Sequence, residues 1–479
     1  MKKKHIHFVG IKGVGLAPLA IIAKEAGFIV SGCDVDEEFI TDELLKLSRI
    51  QPIKGFSSSH LGNVDMVITT GAHGGFDNPE VQEAKKGGIK VLTHGEAVGM
   101  FMKGELFGRF DMTGISVVGS HGKTTTTALL ATIFSQGGLD PSYTIGTSII
   151  PSIGASGHYG NGKYFIAEAD EYATEPAYNK TPKLLWQYPS IAVITNVDFD
   201  HPDVFKNEED IAMVFRKFLG NIKRDGILVL YGDDPYAAFL KKSFPGKTIT
   251  YGYSPQNDFV LRKARFGDRR TFFWVEALGT NLGEFCIHVI GEHNALNATG
   301  AIAVSLEVGI GINKIKKALM TFSGSKRRCE FIGQSRFGSI VIDDYAHHPT
   351  EIKKTLIALK KAYPKKHIVC IFQPHTFSRT KALFNKFTHA FSDADEVILM
   401  DIYPSLREEP DPEITSQFLA NKMSKIHKSV TFLSKACDVI QYVAQKETDS
   451  SSLIVTMGAG DIYKIAQKVA QKKPSVSSQ

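Results

Sequence analysis

The stretch Val117-Val118-Gly119-Ser120-His121-Gly122-Lys123-Thr124-Thr125-Thr126-Thr127, VVGSHGKTTTT, decides how this chain is read. The apolar residues Ile115, Val117 and Val118 suit a buried parallel strand, and Ala128, Leu129, Leu130 and Ile133 give the following segment an apolar face at helical spacing. Between them, Gly119 and Gly122 let the backbone turn its N–H groups toward phosphate oxygens, and the helix N-terminus adds a partial positive charge. Lys123 can then reach the outer phosphates of a nucleoside triphosphate, and the Thr124 hydroxyl is placed to ligate the accompanying magnesium ion. The usual phosphate-loop pattern opens on a glycine further upstream, where this chain has apolar residues such as Val118. The reading therefore rests on the strand-turn-helix context.

At 479 residues the chain is too long for one core, and ordinary domain sizes predict about three domains. With 43% hydrophobic and 22% charged residues it has the composition of a soluble globular protein. A net charge of +6 is mild for this length and does not argue for nucleic acid. No segment approaches the roughly eighteen apolar residues that span a bilayer, and glycines interrupt the basic start before a signal-peptide core can form. Cys33, Cys286, Cys329, Cys370 and Cys437 form no close pairs, so neither a disulfide framework nor a zinc site is suggested and a reducing cytoplasm fits.

Outward from the phosphate loop, the first hundred residues read as a small Rossmann-like unit. It has strands at 5–9, 29–33, 64–70 and 89–93, a glycine turn (Gly10, Gly13, Gly15) and a helix at 16–26. Residues 101–112 lack a clean period and read as a linker. The middle region adds strands at 164–167 and 191–195, a β-like stretch at 259–289 alternating around Phe272, Trp274, Phe285 and Ile287, and a helix near 295–308. A third α/β unit follows, with strands at 340–342, 368–372, 396–400 and 453–456. The expected division is 1–108, 109–322 and 323–479, and KKPSVSSQ reads as a disordered tail.

Two predicted strands end in polar clusters: Glu168-Ala169-Asp170-Glu171, and Asn196 to His201. In parallel sheets ligand sites lie at such ends. Thr124, Glu168 and His201 could surround a divalent ion, the bland alternative being carboxylates that cap loops. Asn294 is either a helix N-cap or a grip on a base edge. Arg327-Arg328, at the entry to the third unit, are either exposed boundary arginines or a fork that closes on a phosphate. Asp343 to Thr350 (DDYAHHPT) reads as a catalytic loop rather than a metal site, and Arg379, in QPHTFSR, could hold a carboxylate bidentately.

Taken in order, GIKGVG (10–15), GSHGKTTTT (119–127), EADE (168–171), DFDHPD (198–203), GEHNALNA (291–298), DDYAHHPTE (343–351), QPHTFSR (373–379) and TMGAGDI (456–462) resemble the Mur ligases of peptidoglycan synthesis along essentially the whole chain. The resemblance implies an α/β protein of three domains: Rossmann-like for a UDP-sugar, a central P-loop-type ATPase domain, and Rossmann-like for an amino acid. It implies a cytoplasmic, ATP- and Mg2+-dependent ligase, monomer or homodimer, that joins L-alanine to UDP-N-acetylmuramate through an acyl phosphate, with no nucleic acid or membrane partner.

Carried over by motif, Lys123, Glu168 and His201 would be catalytic, and Thr124, Glu168 and His201 would hold the metal. ATP would lie against Gly119, Ser120, His121, Gly122, Lys123, Thr124, Thr125, Asn294, Arg327 and Asp344. The UDP-sugar would meet Gly10, Ile11, Gly13, Gly15 and Asp34, and the amino acid Tyr345, His347, His375 and Arg379. One departure stands out: YATEPAYNKTPKLLW after EADE is longer than in alanine-adding relatives and is similar to the recycling ligase that attaches a murein tripeptide. Other readings are a non-catalytic nucleotide-binding relative, and an NAD-dependent dehydrogenase suggested by the first glycine turn and Asp34.

Overall fold

The computed structural model describes residues 3–267, 269–404, 408–447 and 449–470; the tail expected at 472–479 lies outside the described residues. Three sheets organise the chain, as expected for three α/β domains. The N-terminal sheet contains β1 (His5–Val9), β2 (Ile29–Asp34), β3 (Ile53–Lys54), β4 (Met66–Thr69) and β5 (Lys90–Thr93), all parallel, in the order β3-β2-β1-β4-β5. Strand order reverses between β1 and β4, so the crevice beyond their carboxyl ends is where such a sheet binds ligands. Gly10 turns the chain there with φ +84°; a Cβ on it would lie 2.9 Å from Thr70 Cγ2 and 3.3 Å from His73 Cδ2. Two loops therefore flank the crevice at contact distance.

The linker expected at 101–112 begins later than its sequence suggested. The helix His94–Met102, capped by reciprocal Thr93 and Glu96 bonds, runs into it and buries Phe101 and Met102 in the core. Those residues are apolar because they pack, which is why the segment showed no polar period.

The central sheet takes β6 (Thr113–Val118), β7 (Ser142–Thr144), β8 (Gly157–His158) and β9 (Tyr164–Ala169), then β12 (Ile191–Ile194) to β17 after a separate hairpin, β10 (Ala173–Glu175) with β11 (Asn179–Pro182). The remaining strands are β13 (Ile227–Tyr231), β14 (Lys247–Gly252), β15 (Phe259–Gly267), β16 (Arg270–Ala277) and β17 (Thr280–Ile287). The ten strands run β17-β16-β15-β14-β13-β12-β6-β9-β7-β8. β6 lies between β12 and β9 in parallel register, with Val118 opposite both Ile194 and Ala169, so three strands end level. On β16 the alternation holds, but the buried phase is Phe273 and Val275; Phe272 and Trp274 face the half-buried side, where the Arg265 guanidinium lies 4.1 Å from the Phe272 ring.

The third sheet comprises β18 (Glu330–Gln334), β19 (Ile340–Asp344), β20 (His367–Phe372), β21 (Glu396–Leu399), β22 (Val430–Phe432) and β23 (Ser452–Met457), ordered β18-β19-β23-β20-β21-β22. Only the edge pair β18–β19 is antiparallel. Asp344, Met457, Phe372 and Leu399 are in register, so the segments that follow them emerge at one edge. The chain parts into two compact units between Lys326 and Arg327: the first two sheets form one, and the third sheet the other, which also takes in Phe266–Arg270 and Val289–Glu292. Among the described residues no helix is long and apolar enough to cross a membrane.

Candidate active site

The phosphate loop follows β6 without slack. Val118 ends the strand, Gly119 has φ +139°, and Gly122 has φ +82° as the residue before the helix Lys123–Gln136. A Cβ on Gly119 would stand 2.0 Å from Thr195 Oγ1, and one on Gly122 2.8 Å from Asn297 Oδ1. Only glycine fits at either place. The segment after β12 laces the loop: Thr195 Oγ1 and Asn196 Nδ2 donate to the His121 carbonyl, His121 N donates to Asn196 Oδ1, and Ser120 Oγ donates to the Asp198 carbonyl. His121 Nε2 lies 2.9 Å from Asp198 Oδ2. These bonds preorganise the turn at a helix N-terminus. Asn196 had been quoted only as part of a motif; its role follows from the register of β12 with β6.

Beside the loop, β9 runs two residues further than expected, to Ala169, so Glu168 is the penultimate strand residue. Thr124 Oγ1 donates to Glu168 Oε2 at 3.2 Å, and Gly146 N donates to Glu168 Oε1 at 2.7 Å. Lys123 Nζ donates to the Gly119 carbonyl and, at 2.7 Å, to Glu171 Oε2. Glu171, to which its motif alone assigns no role, is fully buried, and its Oε1 accepts no hydrogen bond among the described residues. That oxygen lies 3.9 Å from His201 Nε2, whose residue holds a left-handed φ of +55°. The Asp170, Glu171 and His201 ligand atoms all fall within 4.8 Å of one another. His201 thus stands with Glu171 and Asp170, and Thr124 is bonded to Glu168.

The electrostatics follow from crowding. Burial alone would lower the Lys123 ammonium, but Glu171, Asp170 and Glu168 around it raise it above its ordinary value and keep it charged. Burial pushes the Glu171 carboxyl up against the pull of Lys123. Asp170 resists the same burial because Lys183, at 2.9 Å, and Lys123 hold it well below the carboxylate range. A buried carboxylate oxygen without a donor, next to an imidazole and a second carboxylate, suits a hard divalent cation.

Thr125 is buried in the first turn of that helix. Asn294 is buried too, but it lies inside the helix Glu292–Glu307, so its reading as an N-cap is corrected. Gly291 precedes a helix that starts sooner than the apolar period. Asn297, one turn on, is the residue that meets the phosphate loop.

In the N-terminal crevice Gly13 N donates to the Gly10 carbonyl, Ile11 is buried, and Gly15 sits with its would-be Cβ 3.0 Å from His94 Nε2. Asp34 ends β2 buried beneath the turn, accepting from Lys12 N at 2.7 Å and Val35 N at 2.8 Å, with His73 Nε2 3.3 Å from its Oδ1. The carboxylate therefore shapes the glycine turn. His94 is only partly covered, yet its Nδ1 is sealed without a hydrogen-bond partner among the described residues, and burial, reinforced by Lys183, lowers its pKa to about 4.

In the second unit, Tyr345, His347, His375 and Tyr403 form a row of rings. Tyr345 meets His347 at 5.1 Å, His347 meets His375 at 5.8 Å edge-on, and His375 stacks on Tyr403 at 5.8 Å. Arg379 NH1 lies 3.3 Å from His375 Nδ1, and the residue is buried. The four residues expected at an amino-acid site are thus together, with Tyr403 added from beyond β21. Thr376, between them, has φ +69°, a conformation that strains a β-branched residue. Asp344 accepts from Cys329 N and Ala346 N, and burial, against the pull of Arg328, pushes it up to about 7. Arg327, placed by sequence near a phosphate, is buried and donates to Asp343 at 3.0 Å and to the carbonyls of Gly458 and Gly460. It ties β19 to the loop after β23.

Family comparisons cover the same ground. Residues 5–105 match the Mur ligase family, catalytic domain; 117–305 the Mur ligase middle domain; and 327–460 the Mur ligase glutamate ligase domain. The UDP-N-acetylmuramate–L-alanine ligase of Desulfitobacterium hafniense is 37% identical over 466 residues, covering 97% of this chain and 99% of that protein. That of Clostridium kluyveri is 38% identical over 469 residues, 98% of each. Among solved structures, the UDP-N-acetylmuramate-alanine ligase of Thermotoga maritima superposes with a TM-score of 0.79 at 26% identity, over 97% of this chain and 98% of that one. A murein peptide ligase from Psychrobacter arcticus shares the fold, with a TM-score of 0.69 at 23% identity over 97% and 98%. With three family models in chain order and full-length relatives above a third identical, the chain belongs to the Mur ligase family.

Proposed function

We propose that this protein is an ATP-dependent ligase that joins L-alanine to UDP-N-acetylmuramate in cytoplasmic peptidoglycan precursor synthesis. The observation that carries the reading is the level ending of β6, β9 and β12, which sets Lys123 and Thr124 beside Glu168, Glu171 and His201 in a protein whose full-length relatives bear that name. A muramoyl carboxylate oxygen attacks the γ-phosphorus of ATP and ADP leaves with the bond electrons. The L-alanine amine then adds to the acyl phosphate, and phosphate departs as the amide forms.

Two anions must meet in the first step, so the site must offset their repulsion. Lys123 and the loop residues Gly119, Ser120, His121 and Gly122 hold the phosphates, with Thr125 behind them and Asn294 toward the base. Thr124 with Glu168, and Glu171 with Asp170 and His201, are the residues that would hold Mg2+, which supplies charge neutralisation when bound. Gly10, Ile11, Gly13, Gly15 and Asp34 form the floor for the sugar nucleotide. Tyr345, His347, His375 and Arg379 receive the amino acid, Arg379 on its carboxylate; Asp344 is the residue of that unit assigned to the nucleotide, and Arg327, bonded to Asp343, supports it. The division 1–108, 109–322 and 323–479 assigns one substrate to each part.

A phosphate-release assay with ATP, UDP-N-acetylmuramate and either L-alanine, L-serine, glycine or the murein tripeptide tests this. L-Alanine is expected to give the highest kcat/KM. Preference for the tripeptide would transfer the protein to the recycling activity, and no release with any amine would overturn the reading.

A further inference from the structure

The segment 172–186, which follows EADE, is the hairpin β10–β11 and its continuation, and the hairpin tip meets the loop that follows β4. Tyr178 Oη donates to both oxygens of Asp77, at 2.7 and 2.8 Å, and its ring meets Phe76 at 6.0 Å. Glu175 is buried and accepts from Tyr178 N, fixing the tip. The loop 71–77 is fitted to this tip: a Cβ on Gly71 would lie 2.7 Å from Pro176 Cδ, and one on Gly75 2.0 Å from Glu175 Oε1. The same loop carries His73, Gly74 and Gly75 in three successive left-handed conformations, at φ +55°, +82° and +52°. His73 is the residue that this geometry delivers, with its Nε2 at Asp34 and its ring edge over Gly10. A loop with three such residues in a row does not hold one shape by itself.

We infer that the β10–β11 hairpin is a positioning element for the sugar nucleotide: by bracing the loop 71–77 it sets His73 at the mouth of the β1/β4 crevice. The inference rests on the ligase reading above. Bracing works through preorganisation: apparent affinity falls in proportion to the fraction of protein whose loop is competent.

The test uses the full-length protein with Tyr178→Ala alone and with Pro176→Gly. Tyr178 is 61% exposed, so its truncation leaves the core intact, and an unchanged Tm verifies this. UDP binding is measured by calorimetry without ATP or amine, and KM is measured for each substrate. The double variant is expected to weaken UDP binding, and to raise KM for UDP-N-acetylmuramate, by roughly fivefold to tenfold, with KM for ATP and L-alanine within about twofold of wild type. Unaltered UDP affinity in the double variant overturns the inference, as does a change confined to amine KM or amine preference. Wild-type protein that binds no UDP and turns over no UDP-N-acetylmuramate would instead overturn the ligase reading itself, a result visible before any variant is made.

Discussion

Lys123 Nζ and Glu171 Oε2 lie 2.7 Å apart, and both side chains are largely withdrawn from solvent. The lysine that faces phosphate is therefore also the counter-ion of a buried carboxylate, so its removal should be felt twice. Lys123→Ala is expected to abolish phosphate release and also to lower stability by about 3 kcal/mol, the typical cost of leaving one member of a buried pair alone. Adding Glu171→Gln should recover most of the Tm and none of the activity. A stable, active Lys123→Ala protein would remove the phosphate-loop assignment.

Magnesium dependence tests the residues around Lys123. Glu171→Gln and His201→Ala are expected to raise the half-saturating magnesium concentration by about tenfold, as loss of about 1.4 kcal/mol of binding implies. Glu168→Ala should act on magnesium and on ATP together, because Glu168 is bonded to Thr124 of the phosphate loop. Identical magnesium titrations for wild type and all three variants would reduce these residues to structural roles.

Arg379→Lys probes the amine pocket. A lysine cannot reproduce a two-pronged contact with a carboxylate, and one lost charge-assisted hydrogen bond is worth about 1.5–3 kcal/mol, or roughly tenfold to a hundredfold in KM for L-alanine. KM for ATP should stay near wild type. Movement of the ATP constant alone would place Arg379 on the nucleotide side.

His94 makes a prediction about pH. Its native pKa of about 4 lies below its ordinary value of 6.5, so between those values the unfolded chain binds the extra proton. Its neutral burial thus costs nothing above pH 6.5, and native stability falls as pH drops toward 4, by at most about 3 kcal/mol. His94→Gln should flatten this part of the acid-unfolding profile while leaving Tm at pH 8 nearly unchanged. An acid limb that is the same in both proteins would show that other groups set it.

The parts that could be read from the sequence were those whose chemistry is local. A glycine that must turn, an apolar strand feeding it and a lysine at the helix start announce themselves within eleven residues, and the main strands of the first and third sheets are legible, whereas β13 and β14 of the central sheet are not among the expected strands. What could not be read depends on register. Glu171 becomes the partner of Lys123 only because β9 runs level with β6, and Asn297 reaches Gly122 only because its helix starts at Glu292. Arg327 looked like a phosphate ligand by residue type, but a left-handed backbone and a buried Asp343 turn it inward. Tyr403 lies 28 residues from His375 in the chain, and only the β20–β21 pairing brings it to that ring.

The strained backbone at Thr376 bears on how this enzyme could be engineered. Holding a β-branched residue at φ +69° stores about 1–3 kcal/mol, so Thr376→Gly would score as an attractive thermostabilising change in any search blind to activity. Yet the Thr376 hydroxyl accepts from Arg379 N, and its neighbour His375 carries the ring stack. A relaxed Thr376→Gly enzyme should survive heating better and use its amine less selectively, which makes this position a poor choice for industrial hardening and a good one for widening substrate range.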